Sequence, residues 1–404
     1  MRVSTVMMFE RSVSSMNRQQ SAFMEVGEQI ASGKRVVRPS DDPQAASRAV
    51  GVSQSLATNS QQSDSRVTVR NSLSQEESVL DSVSDSLTRA KELAVQAGNG
   101  TLSDADRQSM ATELRGVYEA LLGQANSTDG NGSYLFGGYQ DGAEPFVKDA
   151  SGAVQYEGSD QVRQQKVDSS RLMDVGNTGS DVFQTVAAGS GYVARADVDN
   201  AGSLTFTGPQ VTDTTAEGYG EDYSISFSDN GDGTFEYTIS GGPEDGTTGT
   251  YDGTSATLEF GGVRLTVEGT PDGGDSLEVG PAQNMEPDVF TTLENMLSAL
   301  ENPLDSDADK AAFANTLSTS SRELDNALDN VLTVRASVGA RLNELDTLDT
   351  VGSDRAISYT QTQSDLIDLD YTTAISDYVL RQVGLQASQK AFVDLQGTSL
   401  FELM

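Results

Sequence analysis

The side chains able to do chemistry in this 404-residue chain are mostly carboxylates: 61 Asp and Glu stand against 26 Lys and Arg, with no His and no Cys. Carboxylates can ligate calcium, or act in pairs as general acid and base. The calcium reading fails on spacing. In "DGNGS", Asp129, Asn131 and Ser133 alternate, but an EF-hand loop needs Gly at its sixth position and Glu at its twelfth, where this chain has Tyr134 and Gln140. "DNGDG" from Asp229 has the wrong spacing, and "DSDADK" from Asp305 has no glycine. All three are expected to be hairpin turns or helix starts, so no metal ligand is assigned. No glycine cluster ends in Gly-Lys-Ser/Thr, which leaves no phosphate loop and no cofactor-binding residue. Carboxylate pairs are too numerous for any one to mark a glycosidase-like site. Without His or Cys there is no Ser-His-Asp or Cys-His nucleophile, no thiolate or histidine metal site and no disulfide. No catalytic residue is assigned and no enzyme is expected.

The formal net charge of −35 argues against a nucleic-acid partner. Against that background "IASGKRVVRPSDDP", Ile30 to Pro43, gathers Lys34, Arg35 and Arg38 within five residues, beside two prolines and a glycine. Its chemistry is ion pairing at a break in the chain, and the elements on either side say what it joins.

Before it, Val6, Phe9, Val13, Met16, Gln20, Phe23, Gly27 and Ile30 are spaced 3,4,3,4,3,4,3, a heptad seam softened by Gln20 and Gly27. Gly33 is placed to stop that helix, Pro39 disfavours helix at Arg38, and Asp42-Pro43 reads as an N-cap with Pro at the first helical position. A second helix is expected from Pro43 to Ala97, long enough to span about 80 Å. Its stripe starts at Ala45, Ala49, Val52 and Leu56 and continues through Leu73, Leu80, Val83, Leu87, Ala90 and Ala97. "GNGT" breaks it. Ser103 and Asp106 resemble a capping box, and a third helix follows to about Asn126.

The middle of the chain is different material. Asp141 to Phe290 holds 24 of the 39 Gly, 6 of the 9 Pro, and 27 acidic against 6 basic residues. "EDYSISFSDNGDGTFEYTIS" alternates on both sides of an Asn-Gly-Asp-Gly turn, a hairpin signal, and "SLTFTG", "ATLEFGGVRLTVEG" and "DSLEV" continue the pattern. Helix returns near Asp288. A long helix then runs from about Ala308, and the last segment repeats a seam at Tyr371, Ile375, Tyr378, Gln382, Leu385, Gln389 and Phe392.

Two terminal seams, neither able to bury its stripe alone, would most simply pair with each other. The expected fold is multidomain α plus β: long paired coiled-coil-like helices from both termini, with an inserted antiparallel β domain. The expected division is 1–42 with 360–404 as a terminal helix pair, 43–140 with 286–359 as a helical rod, and 141–285 as the Gly/Asp-rich β domain. The N-terminus has no apolar h-region or small-residue cleavage site, and no run approaches 18 apolar residues, so neither a signal peptide nor a membrane span is expected. That leaves a cytoplasmic protein or one exported with its N-terminus uncleaved.

Three stretches resemble bacterial flagellins and their relatives, in the right order along both helical arms: "QIASGKRVVRPSDDPQAA", "NGSYLFGG" from Asn131 to Gly138, and "RASVGARLNELD" from Arg335 to Asp346. The start "MRVSTVMMFERSVSSMNRQQ" and the end "LQGTSLFELM" are similar to hook-associated members rather than to flagellin itself, which usually opens on Asn-Thr-Asn and ends in Leu-Leu-Arg. "FGGVRLTVEGTPDGGDSLEV" also resembles the β domain of hook-associated members. The resemblance implies a structural, secreted subunit of the extracellular bacterial flagellum at the hook-filament junction, serving motility and exported unfolded by the flagellar type III apparatus. It implies as partners other copies of itself in a ring, an adjacent hook-associated protein, flagellin, and a dedicated export chaperone at the C-terminal segment. Subunit packing is then expected at Phe9, Val13, Met16, Phe23, Ile30, Ile375, Tyr378, Leu385 and Phe392. Lys34, Arg35 and Arg38 become a basic joint pairing with carboxylates of the same or neighbouring subunits. The competing readings are the filament subunit, a secreted coiled-coil adhesin whose β domain contacts a ligand, and a hydrolase.

Overall fold

The structure is a computed structural model describing residues 5–100 and 102–401, with side-chain surroundings defined as far as Asp394. It resolves into two compact units, Arg66–Asp346 and Met1–Ser65 with Thr347–Met404. The long helices α2 (Pro43–Ala97) and α6 (Asp307–Ile367) contribute to both.

In the Arg66–Asp346 unit, α2 and α6 are joined by α3 (Asp104–Ala125) and α5 (Val289–Glu301). The stripe read from the sequence is the buried one: Leu73, Leu80, Val83, Leu87, Ala90 and Ala97 of α2 lie inside, with Leu324, Val331, Val338 and Leu345 of α6. On α3 the stripe buries Tyr118 where Val117 is only half-buried. The α3 capping box is complete, with the Ser103 side chain accepting from Asp106 N–H and the Asp106 side chain accepting from Ser103 N–H. Asp305 precedes the same device on α6, where Ser306 and Asp309 cap each other reciprocally.

The β region contains two sheets sharing one core. Five strands run in the order β5-β12-β7-β8-β9: β5 (Tyr192–Ala196), β12 (Ser276–Pro281), β7 (Tyr223–Asp229), β8 (Phe235–Ser240) and β9 (Thr247–Tyr251). Three run β10-β11-β6: β10 (Ser255–Phe260), β11 (Val263–Glu268) and β6 (Thr205–Val211), all antiparallel. β7 and β8 pair from Ser224↔Ser240 to Asp229↔Phe235, the hairpin read from the sequence. β10 and β11 meet across Gly261 and Gly262, both at positive φ (50° and 73°), as a two-residue primed turn demands. Asn315 of α6 accepts from Phe206 N–H (3.1 Å) and donates to the Leu204 carbonyl (2.8 Å), so the buried amide ties helix to sheet without an orphaned group. Two short hairpins, β1 (Phe146–Lys148) with β2 (Val154–Tyr156) and β3 (Gln164–Lys166) with β4 (Leu172–Asp174), were not read from the sequence; three-residue strands leave too little alternation to detect. They precede the one-turn helix α4 (Gly179–Phe183).

The acidic clusters considered for calcium are turns. Asp129 accepts from Asn131 N–H and Ser133 N–H, and Asp229 accepts from Gly231 N–H. The hydrogen bond from the Asn131 backbone N–H is the main influence holding the Asp129 carboxyl below its ordinary pKa.

In the other unit, α1 (Thr5–Ser32) and α7 (Tyr371–Phe401) form the terminal helix pair. Asn59 of α2 donates to the Gly352 carbonyl of α6 at 2.9 Å. Among the described residues no helix is long and apolar enough to cross a membrane.

Candidate functional site

The terminal pair is antiparallel. Phe9 meets Phe392 with ring centroids 5.3 Å apart, and Phe23 meets Tyr378 at 4.6 Å. Gly27 lies where Tyr378 packs: a Cβ there would sit 3.7 Å from the ring, an ordinary contact. On α7 the expected spacing is right at one position per heptad and one residue out at the other, whereas on α1 it departs only at Gln20 among the described residues. On α1, Phe9, Met16, Phe23 and Ile30 hold the phase, but between them Ser12, Gln19 and Val26 turn inward with Val13 and Gly27, while Gln20 is exposed. On α7, Tyr378, Leu385 and Phe392 hold it, and the intervening positions are Ala374, Arg381 and Ser388 rather than Ile375, Gln382 and Gln389. A single residue is 100° of helix, so a 3,4 and a 4,3 spacing choose different faces.

The seam is therefore made of small and polar groups as much as apolar ones. Arg381 lies partly buried in it, and its Nε has no hydrogen-bond partner among the described residues. Ile375 is 52% exposed, with Tyr371, Val379, Leu380 (70%) and Val383 (58%) also outward. Tyr371, Ile375, Val379 and Val383 recur every four residues, an apolar stripe on one side of α7.

Below the pair, two chain breaks are laced together. Gly33 (φ 69°) ends α1, and its carbonyl accepts from Leu369 N–H at 3.0 Å. Arg35 N–H donates to the Ile367 carbonyl at 2.8 Å, and Lys34 pairs with Asp368 as an isolated antiparallel bridge. Asp370 starts α7 by accepting from Thr372 N–H, and hydrogen bonds from Thr373, the largest cause, and Thr372 hold its pKa below the ordinary value. The C-terminal break thus falls at Ile367–Asp370, later than the boundary near residue 359 read from the sequence; "DLDYTT" carried the missed signal, a capping Asp before a Tyr-Thr-Thr helix start.

The three cations differ. The Arg35 guanidinium donates to the Leu366 carbonyl (2.5 Å) and pairs with Asp42 (3.3 Å). Arg38 grips both oxygens of Glu28 at 2.8 and 2.9 Å. Asp41 accepts from Val37 N–H and Arg38 N–H, and Asp42 caps α2 through Ala45 N–H, the first cause of its lowered pKa, ahead of Arg35. Lys34 has no ion-pair partner among the described residues. The assets of this arrangement are a helix pair with an open apolar side and a hydrogen-bonded joint.

The model of the bacterial flagellin N-terminal helical region matches residues 3–141. Flagellar hook-associated protein 3 of Escherichia coli is 37% identical over 404 residues, covering all of this chain and 99% of that protein. The chain belongs to the family of flagellar hook-associated protein 3. Likeness to a flagellin, that of Salmonella naestved, reaches 29% identity over only 121 residues, 29% of this chain and 23% of that protein. The filament-subunit and adhesin readings are thereby set aside in favour of the hook-associated family. The solved structure of the flagellar junction protein FlgL from Legionella pneumophila, 29% identical, superposes with a TM-score of 0.66 over 80% of this chain and all of that one. Family membership is that of a structural flagellar protein, and it agrees with the α plus β architecture of helical arms around an inserted antiparallel β region.

Proposed function

We propose that this chain is the junction subunit between hook and filament of a bacterial flagellum, built as a ring of identical copies whose terminal helix pairs pack side by side. The observation that carries this reading is the outward apolar stripe of α7, Tyr371, Ile375, Val379 and Val383, on a chain of net charge −35. Such side chains are stabilised by a covering partner, and a ring of like subunits supplies one in every copy. In it the seam residues Phe9, Val13, Met16, Phe23, Ile30, Tyr378, Leu385 and Phe392 hold the pair together, and Ile375 faces the neighbour. This reading keeps three functional bodies, with the C-terminal boundary moved to the break: the pair of 1–42 with 368–404, the helical arms of 43–140 with 286–367, and the β region 141–285. An adjacent hook-associated protein and flagellin would contact the two sides of the ring. Export through the flagellar type III apparatus, with a chaperone on the C-terminal segment beforehand, would keep the stripe covered until assembly. The chain carries out no catalysis in this reading.

The test is a deletion strain complemented with Val379→Asp/Val383→Asp. Hooks without filaments, with flagellin lost to the medium and the mutant protein still exported, are expected. Normal filaments on the double mutant would overturn the packing assignment.

A further inference from the structure

A buried group that assembly does not use lies in the Arg66–Asp346 unit. Glu76 of α2 is 1% exposed, and neither carboxyl oxygen has a hydrogen-bond partner among the described residues. Gly176, just after β4, closes over it: a Cβ at that residue would come within 3.3 Å of Oε2. The charged groups that reach Glu76 are Arg341 of α6, which favours ionisation, and Glu77 of its own helix, which opposes it; the Asn177 backbone N–H lies near enough to favour ionisation without making a hydrogen bond. Arg341 does not pair with it. Its guanidinium donates to the Asp174 (3.4 Å) and Gly176 (3.1 Å) carbonyls and to the Asn177 side-chain oxygen.

An isolated carboxylate in such a place is strongly unfavourable, whereas a neutral acid is tolerated. Arg341 can serve the loop or the carboxylate, and the geometry commits it to the loop. We propose that Glu76 is carried as the neutral acid in the folded protein, and that its ionisation draws Arg341 away from Asp174–Asn177, making this loop an alkali-released latch between α2 and α6. Burial, the dominant influence, raises the Glu76 pKa from 4.5 to about 8. The sign follows from linkage. The folded state holds this proton to higher pH than the unfolded state, so the folded form loses ground as pH rises above about 4.5, and the loss is complete above about 8.

The experiment is urea unfolding of the full chain against pH, wild type beside Glu76→Gln, which keeps shape and removes the titration. Relative to the variant, the wild-type folding equilibrium should fall about tenfold per pH unit between about 5 and 8, then level off. Parallel curves would overturn the proposal. Should Glu76→Gln fail to fold, carboxyl carbon NMR of the wild type decides: a glutamate midpoint near 8 supports it, and midpoints all below 6 overturn it. Hydrogen exchange reads the latch itself. Protection of the 174–177 amides should drop between pH 7 and 9 in wild type and hold in Glu76→Gln; unchanged protection in wild type would refute the release step.

Discussion

The helices of the Arg66–Asp346 unit and the terminal pair share a similar apolar period and end very differently. Along α2, Leu73, Leu80, Val83 and Leu87 are wholly inside, and Phe290 of α5 is enclosed by Tyr118, Phe146 and Phe183 at 5.2–6.0 Å. Along α1 and α7 the most buried side chains are Val26 and Ala374, while Ile375, Leu380 and Val383 stand in solvent. Period alone therefore states that a helix has an apolar face, and side-chain size within the period states whether one chain can close it. Large apolar residues at most heptad positions, with Ala between them, complete a core within the chain. Ser, Gln, Gly and Arg along the terminal seam leave the contact open.

The sharpest way to break this contrast is to hollow out the closed region. Phe290→Ala removes a fully buried ring from an aromatic cluster and should destabilise that unit by about 3–5 kcal/mol in urea unfolding. A loss below about 1 kcal/mol would mean that this core is no better closed than the terminal pair.

The next effect is large in the assembly and small in the monomer. Phe23→Asp places a carboxylate against Tyr378. The main unfolding transition of the monomer should move by less than about 0.5 kcal/mol, because the residue lies outside the closed core. Swimming should be lost, because in the assembled seam the charge would be buried without a partner. Normal motility would show that the pair is not a packed seam in the flagellum.

Gly27 tests the open seam from the other side. It is an interior helical position, and a methyl there would make an ordinary contact with Tyr378. Gly27→Ala should stabilise α1 by about 0.5–1 kcal/mol and slow its amide exchange. Faster exchange would mean that the close approach of Tyr378 depends on the missing methyl.

How much could be read beforehand follows the same divide. α2, α3, α5 and α6 were legible because Leu, Val and Ala recur at heptad spacing and because Ser103 and Asp288, the caps of α3 and α5, carry cap chemistry. The terminal seam was legible only where Phe, Met, Tyr or Leu marked it. Ala374 is small, and Arg381 and Ser388 bear no apolar signature, so the larger Ile375 drew the phase to the wrong side by one residue. Glu76 was invisible among 61 acidic residues, since only folding places Gly176 over it. The partners of Arg35 and Arg38 include groups near in sequence, Asp42 and Glu28, but a backbone carbonyl at Leu366 has no sequence signal at all.

The smallest expected monomer effect discriminates within the joint. Arg35 and Arg38 have partners inside the chain, so Arg38→Ser releases Glu28, with a loss of about 0–1 kcal/mol for an exposed pair. Lys34 has no such partner among the described residues, and Lys34→Ser should leave monomer unfolding unchanged. In an acidic ring its ammonium would lie near carboxylates of the next copy, where removing a cation leaves negative charge less balanced. Lys34→Ser filaments should therefore form but shear off more readily than Arg38→Ser filaments. The difference should be largest at low ionic strength, where charge pairs act over a longer range, and should fade as salt screens them. Shear resistance equal to wild type for Lys34→Ser, with fragility confined to Arg38→Ser, would reverse the assignment and make the Arg38–Glu28 pair the contact that holds the joint under load.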